Sequence, residues 1–402
     1  MGKWEMVRLG DISDLITKGT TPTTLGYSFQ DAGINFIKIE SIGETGELIP
    51  DKFQHISEEC SQKLKRSILK ENDILFSIAG ALGRIAIVSA EILPANINQA
   101  LAIIRISSEQ VDLEYVTIAL RSNYVFEQFQ KQKQGVAQLN LSLKNIADIT
   151  IPLPPMEVQR QIADVIDRAS VLIEKRKAQI DKLDLLVKAQ FIEMFGDPVT
   201  NPKGWEMIPL GEVATKIRSG LSRKLSSDDI GVPVIRSTNM INGQLDISDI
   251  KYWYLDDPQG ADVPSYYLKD GDVLVNFINS NEHIGKVCIY KDMGRDCIYT
   301  TNIFVMNLND QCNTTWFNQY AKTQAYKFRL NNIIQPAVNQ SSFTTANYRK
   351  MLMLLPPISL QNQFATFVHR VEAQKSVLQQ SLTKLEQNYK SLMQKCFRGD
   401  IF

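Results

Sequence analysis

The chain has 402 residues, enough for roughly two to four domains. Apolar residues make up 44% and charged residues 22%, which excludes bulk disorder. The 44 Lys and Arg cancel the 44 Asp and Glu. That balance excludes coating of nucleic acid or membrane by bulk charge, so any nucleic-acid binding must come from local basic patches. No stretch approaches the uninterrupted apolar length of a membrane span, and Met1-Gly2-Lys3-Trp4-Glu5 lacks a signal-peptide core. The expected location is the cytoplasm. Five scattered cysteines (Cys60, Cys288, Cys297, Cys312, Cys396) form no CxxC and read as reduced thiols; His55, His283 and His369 suggest no metal cluster.

Taken from its start, the chain is written twice. Trp4-Glu5-Met6-Val7-Arg8-Leu9-Gly10-Asp11 recurs as Trp205-Glu206-Met207-Ile208-Pro209-Leu210-Gly211-Glu212. Residues 69–75 recur as 268–274, Gly83-Arg84 as Gly285-Lys286, Gln138 as Gln340, and Leu153-Pro154-Pro155 as Leu355-Pro356-Pro357. Order and offset are kept, so two related domains are expected. Within each copy, short β-branched or aromatic runs such as residues 35–39 and 272–276 are broken by Gly, Asn and Ser, which predicts strands and turns.

After each Leu-Pro-Pro the pattern changes. About 40 residues follow without Gly or Pro, and proline opens a helix more readily than it sits inside one. Ile162, Ile166, Ala169, Ile173, Arg176, Ile180, Leu183, Val187, Gln190 and Met194 follow 4-3-4-3 spacing. Phe364, Val368, Val371, Lys375, Leu378, Leu382, Leu385, Tyr389, Leu392 and Cys396 do the same at a constant offset of 202. A sustained period of about 3.5 residues marks a coiled-coil seam. Two amphipathic helices, each lying on its own globule, are the alternative.

The predicted architecture is α+β: two tandem mixed α/β domains separated by two long helices that form an antiparallel coiled coil with pseudo-two-fold symmetry. The boundaries are residues 1–155, a spacer helix over 156–197, a second domain over 198–357 and a second spacer helix over 358–402. A centred register places Ala169 opposite Tyr389, sets Arg176 and Lys375 in the seam with snorkelling stems, and returns Phe402 towards Trp4. The seam is then about 50 Å long. Sites one helical turn apart on a DNA duplex, about 34–36 Å, are of that scale.

These residues carry a family resemblance. Trp-Glu-x-(Val/Ile)-x-Leu-Gly-(Asp/Glu), Gly-Arg before an apolar strand, Gln138-Leu139-Asn140-Leu141-Ser142, and Ile151-Pro152-Leu153-Pro154-Pro155 followed by a helix bearing Gln159 and Gln161 together resemble the specificity subunit of type I restriction-modification systems. The resemblance spans both repeats. The second copy departs from it where Gln340-Ser341-Ser342-Phe343 replaces Gln-Leu-Asn-Leu. The resemblance implies that each domain reads one half of a bipartite, asymmetric DNA site. It implies that the helices set the spacing and dock two adenine methyltransferase subunits, and that restriction/translocase subunits join the complex. S-adenosylmethionine, ATP and Mg then belong to those partners, and this chain holds no cofactor. No membrane partner is implied.

The residues point the same way, to a non-catalytic part. Leu153-Pro154-Pro155-Met156 is not an Asn/Asp-Pro-Pro-Tyr/Phe segment; Gly80-Ala81-Leu82-Gly83 is not GxGxxG and becomes Asn279-Ser280-Asn281-Glu282 in the second copy; no P-loop is written. DNA contacts need Lys and Arg for phosphates, and Arg, Lys, Asn, Gln, Ser or Thr for base edges, carried on polar loops. In the first domain the candidates are Lys18, Thr20, Thr21, Lys38, Ser41, Arg84, Gln138 and Asn140. In the second they are Arg218, Ser219, Arg223, Lys224, Arg236, Ser237, Asn239, Asn279, Asn281, Lys286, Gln340 and Ser341. The run over residues 216–224 is the strongest basic patch. Trp4 and Trp205 are expected to pack the base of each domain, and Gly83 and Gly285 to serve backbone turns. Val165, Leu172, Leu186, Phe191, Ile192, Phe367, Val377, Met393 and Phe397 exceed what one seam buries; they are expected to dock methyltransferase helices, the alternative being contact with the domains themselves. A self-contained methyltransferase or nuclease, and a protein-binding adaptor, are the competing functions.

Overall fold

The computed structural model describes residues 4–43, 45–131, 140–254, 260–337 and 340–402, the side chains of Gln130 and Lys131 excepted. The chain divides into two compact units, Met1–Lys177 with Gln380–Phe402, and Ala178–Gln379. Each unit therefore combines a globule with part of both long helices, Met156–Phe195 and Ile358–Arg398.

The first unit is built on two small sheets. An antiparallel four-stranded sheet runs Leu15–Lys18, Leu101–Arg105, Ile74–Ser77, Ile85–Ile87. A three-stranded sheet runs Gln54–Ile56, Ile34–Ile37, Ala95–Ile97, its last pair parallel. The strand Ile74–Ser77 is buried without alternation, and so is Leu101–Arg105 apart from its last residue, as expected for strands covered on both faces. The second unit repeats the plan with Ala214–Ser219, Ile303–Leu308, Val273–Asn276, Val287–Ile289, and with Lys251–Trp253, Val232–Ile235, Ile298–Tyr299. Gly19 and Gly220 each follow the first strand of the larger sheet, where an added Cβ would lie 2.0 Å from the carbonyl oxygen of Ile97 or Tyr299. Only glycine lets the backbones approach so closely.

At the base of each unit a short pair of strands ties entry to exit. Met6–Arg8 pairs with Thr150–Pro152, and Glu206–Pro209 with Leu352–Leu355. The chain then leaves through Pro154-Pro155 or Pro356-Pro357 into a long helix. A buried glutamine secures each departure. Gln159 donates to the carbonyls of Gln110 (2.9 Å) and Pro154 (2.8 Å) and accepts from Asp112 N–H (2.9 Å). Gln361 donates to Gln311 (3.1 Å) and Pro356 (2.7 Å) and accepts from Asn313 N–H (2.8 Å). Both side chains are 0% exposed and fully satisfied, as a buried amide must be. Asp112 and Asn313 in turn cap the helices that start at Leu113 and Thr314.

Every seam position predicted above is buried or half-buried. In the first unit Ile162 and Ile166 share a core with Met393, Cys396 and Phe397. In the second, Val187, Phe191 and Phe195 share a core with Phe364, Val368 and Val371. Phe191 and Phe195 pack edge-on to Phe364, with ring centroids 5.4 Å apart in each pair. Lys375 does more than snorkel: its Nζ lies 2.6 Å from Asp184 Oδ1 on the other helix.

The expected docking face fails at three positions. Phe191, Met393 and Phe397 do not belong to an exposed docking face; they are 3%, 8% and 8% exposed and lie inside the chain's own cores. Phe191 is held by Trp316 and Phe364, and Phe397 by Tyr115. The globule contributes large aromatic groups to the helix surface that heptad counting does not see.

Candidate nucleic-acid interface

In the first unit the polar groups gather around one turn. Lys38 precedes the turn Ile39–Ser41. Ser41 is fully buried; its hydroxyl donates to Lys52 O (3.1 Å) and accepts from Lys38 N–H (3.3 Å). Arg84, half-buried, closes on the same turn by donating to Ile42 O at 2.8 Å. The Lys38 ammonium lies 4.6 Å over the Phe29 ring. Arg84, distant in sequence, is thus brought to the turn that carries Lys38 and Ser41. Lys18 is exposed at the end of its strand, and Thr20 and Thr21 follow it; Thr21 Oγ1 donates to Gln99 Oε1. Asn140 is exposed beside Leu141, whose N–H donates to Ile78 O at 2.9 Å. Gln138 lies outside the described residues.

The second unit repeats the turn with different chemistry. Arg236 opens the turn Ser237–Asn239, and its guanidinium reaches Asp249 Oδ2 (2.8 Å) and Asp249 O (2.7 Å). Lys251 also binds Asp249, at 2.7 Å. Lys251 first, then Arg236, hold the Asp249 carboxyl below its usual range. Asn239 is buried and bonds Asp246 O at 2.8 Å and Arg236 N–H at 3.0 Å; Ser237 is half-buried. Ser41 and Asn239 therefore hold equivalent turns in shape, and the cationic side chain before each turn carries the surface.

The basic patch is ordered by aromatic rings. Arg218 lies 3.5 Å above Tyr266 and donates to Ser265 O at 2.9 Å; Arg223 lies 5.7 Å above Trp253. Stacking on an aromatic face limits the rotamer freedom of each guanidinium, and Arg223 also donates to Ser222 O at 2.7 Å. Ser219 and Lys224 are exposed. A further group forms where Ile278–Asn279 pairs antiparallel with Ser341–Ser342. It brings Asn279, Asn281, Ser341 and Gln340 to one ribbon, with Lys286 half-buried at the far end of the intervening turn. Gln99, Asn276 and Tyr266 were not among the predicted residues. Asn276 was written in a strand-like run, and nothing in that run marks it as the buried amide that organises a turn.

The tryptophans lie at the base, as expected. Trp4 Nε1 donates to Cys396 O (3.3 Å), and Trp205 Nε1 to Phe195 O (2.8 Å). Each satisfies a carbonyl near the end of a long helix. On those helices Leu172, Leu186, Ile192 and Val377 remain 53%, 46%, 47% and 65% exposed, while Val165 and Phe367 are half-buried. Val171 and Leu185 are also exposed and were not predicted. All five cysteines are buried, and burial pushes the thiols of Cys288, Cys297 and Cys312 up to about 12. They are protonated at neutral pH, which suits packing rather than nucleophilic work. Among the described residues no His/Cys/Asp/Glu group could hold a metal, and no helix is long and apolar enough to cross a membrane.

Comparison with known proteins bears on this arrangement. A Methanocaldococcus jannaschii protein assigned as the MjaX type I restriction enzyme specificity subunit is 29% identical over 205 residues, 50% of this chain and 47% of its own. The EcoKI specificity subunit of Escherichia coli K12 is 20% identical over 271 residues, 63% of this chain and 58% of its own. The chain thus spans about half the length of these relatives. A solved structure concerning complex assembly and conformational transition of the type I R-M system contains a chain with a TM-score of 0.62 and 20% identity, covering 100% of this chain and 98% of its own. At that identity the likeness is one of fold. The model of the type I restriction modification DNA specificity domain matches residues 1–183 and again 202–387, and the chain belongs to that family.

Proposed function

We propose that this chain is the non-catalytic DNA sequence-specificity subunit of a type I restriction-modification enzyme. Each globule reads one half of a bipartite DNA target, and the two long helices set the unread distance between the halves. The observation that carries the reading is the double match to the DNA specificity domain, laid over a fold written twice with different polar groups on equivalent turns. Equivalent turns with different chemistry suit two half-sites of different sequence, hence an asymmetric target.

Within the first globule the proposed contacts are Lys18, Thr20, Thr21, Lys38, Arg84 and Asn140. Within the second they are Arg218, Ser219, Arg223, Lys224, Arg236, Asn281, Lys286 and Gln340. Ser41, Ser237, Asn239, Asn279 and Ser341 support the turns that present them. With no net charge, affinity for DNA by this chain alone is expected to be weak, since neutralised phosphates supply much of the binding energy. Two adenine methyltransferase subunits are proposed to dock on the exposed apolar residues Leu172, Leu186, Ile192 and Val377, adding helices to the pair. Restriction/translocase subunits would then complete the assembly. S-adenosylmethionine, ATP and Mg would act in those partners.

Single-molecule sequencing of methylated DNA from cells with and without this gene tests the function. A bipartite motif that disappears with the gene is the expected result. Methyl transfer by the purified chain alone would favour a self-contained enzyme, and failure to shift any duplex even with the methyltransferase present would favour an adaptor.

A further inference from the structure

The turn after the third strand of the larger sheet differs in kind between the two units. In the first unit it runs Ile78-Ala79-Gly80-Ala81-Leu82-Gly83 and carries no side-chain amide. In the second it runs Ile278-Asn279-Ser280-Asn281-Glu282-His283-Ile284-Gly285. That longer turn is built on a buried amide. Asn276, 0% exposed, donates to Ile278 O (3.1 Å) and Asn302 O (3.0 Å), and its Oδ1 accepts from Asn279 Nδ2 (3.0 Å). Asn279 Oδ1 then accepts from Ser280 N–H at 2.8 Å. Ser280 O accepts from the N–H groups of both His283 and Ile284 at 2.9 Å, and Gly285 N–H closes the turn on Asn276 O at 2.8 Å.

At the exposed apex stands Asn281. The buried Ser341 hydroxyl, arriving on the paired strand, donates to Asn281 Oδ1. This contact tethers the amide at the apex of the turn. One lone pair of Oδ1 and both Nδ2 hydrogens remain, with no partner for Nδ2 among the described residues. An acceptor and a donor side by side on a planar group match one base in the major groove. Adenine offers N6–H as donor and N7 as acceptor, whereas guanine offers two acceptors and calls for arginine or lysine.

We propose that Asn281 is a base-reading residue of the second unit and recognises an adenine, with Ser341, Asn276 and Asn279 as positioning residues. The inference rests on the DNA-reading function proposed above. It adds that this turn carries direct readout in one half of the target only, because its counterpart in the first unit has no group able to do it.

The test uses the full chain with its methyltransferase subunits in cells, read by single-molecule sequencing of methylated sites. With Asn281→Ala, preference for A·T at one position of one half-site falls about ten-fold or more, the other half-site being unchanged. Ser341→Ala, which frees the amide to rotate, relaxes the same position to a smaller degree. Asn281→Arg moves the preference there from adenine to guanine. If Asn281→Ala abolishes methylation altogether, the arginine variant decides: no methylation of guanine-substituted sites overturns the proposal. An unchanged motif with Asn281→Ala also overturns it and leaves the DNA-reading function standing. Absence of any sequence-specific methylation with the unaltered chain would instead remove that function.

Discussion

Buried amides and half-buried indoles at equivalent positions do the same work in both units. Gln159 and Gln361 each close three hydrogen bonds at the start of a long helix. Replacing either by alanine leaves buried backbone groups unpaired, at a cost of about 1–3 kcal/mol for each group that water cannot reach. Thermal denaturation is expected to show similar losses for Gln159→Ala and Gln361→Ala; a large loss for one and none for the other would contradict their equivalence. Phe191 was expected to face a partner and is a core residue instead. Phe191→Ala is expected to destabilise the chain by about 3–5 kcal/mol, while Leu172→Ala, at 53% exposure, shifts it by less than about 0.5 kcal/mol. The roles of Trp4 and Trp205 were legible, because both repeats open with the same segment. The burial of Ser41 and Asn239 was not, because a short polar residue in a loop looks the same whether it faces solvent or caps a turn.

Most elements were legible from periodicity and punctuation. The Leu-Pro-Pro steps mark where the long helices begin, and 4-3-4-3 spacing picks out residues that are buried or half-buried along both. What spacing could not reveal is how much of each helix the globules cover. Heptad counting treats Phe191 and Met393 as surplus, but the globules place Trp316 and Tyr115 in the same cores. Lys375 in the seam has a similar lesson: Asp184, one step outside the predicted seam, provides its counter-charge at 2.6 Å. The pair is partly solvated, so its worth is at most about 1 kcal/mol. Lys375→Ala is expected to change stability little. Lys375→Glu, which faces Asp184 with a like charge, is expected to lower the melting temperature more, and the loss should be recovered by Asp184→Lys. A double-mutant cycle with no coupling would contradict a direct interaction.

The whole chain carries a cyclic pattern. The tryptophan that opens the second repeat bonds the end of the first long helix, and the tryptophan that opens the first repeat bonds the end of the second. Joining Phe402 to the N-terminus and opening the chain near Asn201 should therefore preserve folding and assembly, as checked by circular dichroism and co-purification with the methyltransferase. A permuted chain that cannot fold would contradict that closure. Domain duplication and the long helices are legible in the sequence alone, because they rest on long-range repetition. The polar groups proposed to meet DNA could be read only in part, since loops bring Arg84 to the turn that follows Lys38, and Ser341 to Asn281, across distances that no local pattern encodes. The proposal that two helices hold two readers at a set distance is tested most directly by inserting one heptad into each and sequencing the methylated sites. About 10 Å of added helix should widen the unread gap by about three base pairs, with both half-sites unchanged. Recovery of the original motif with its original gap would contradict it.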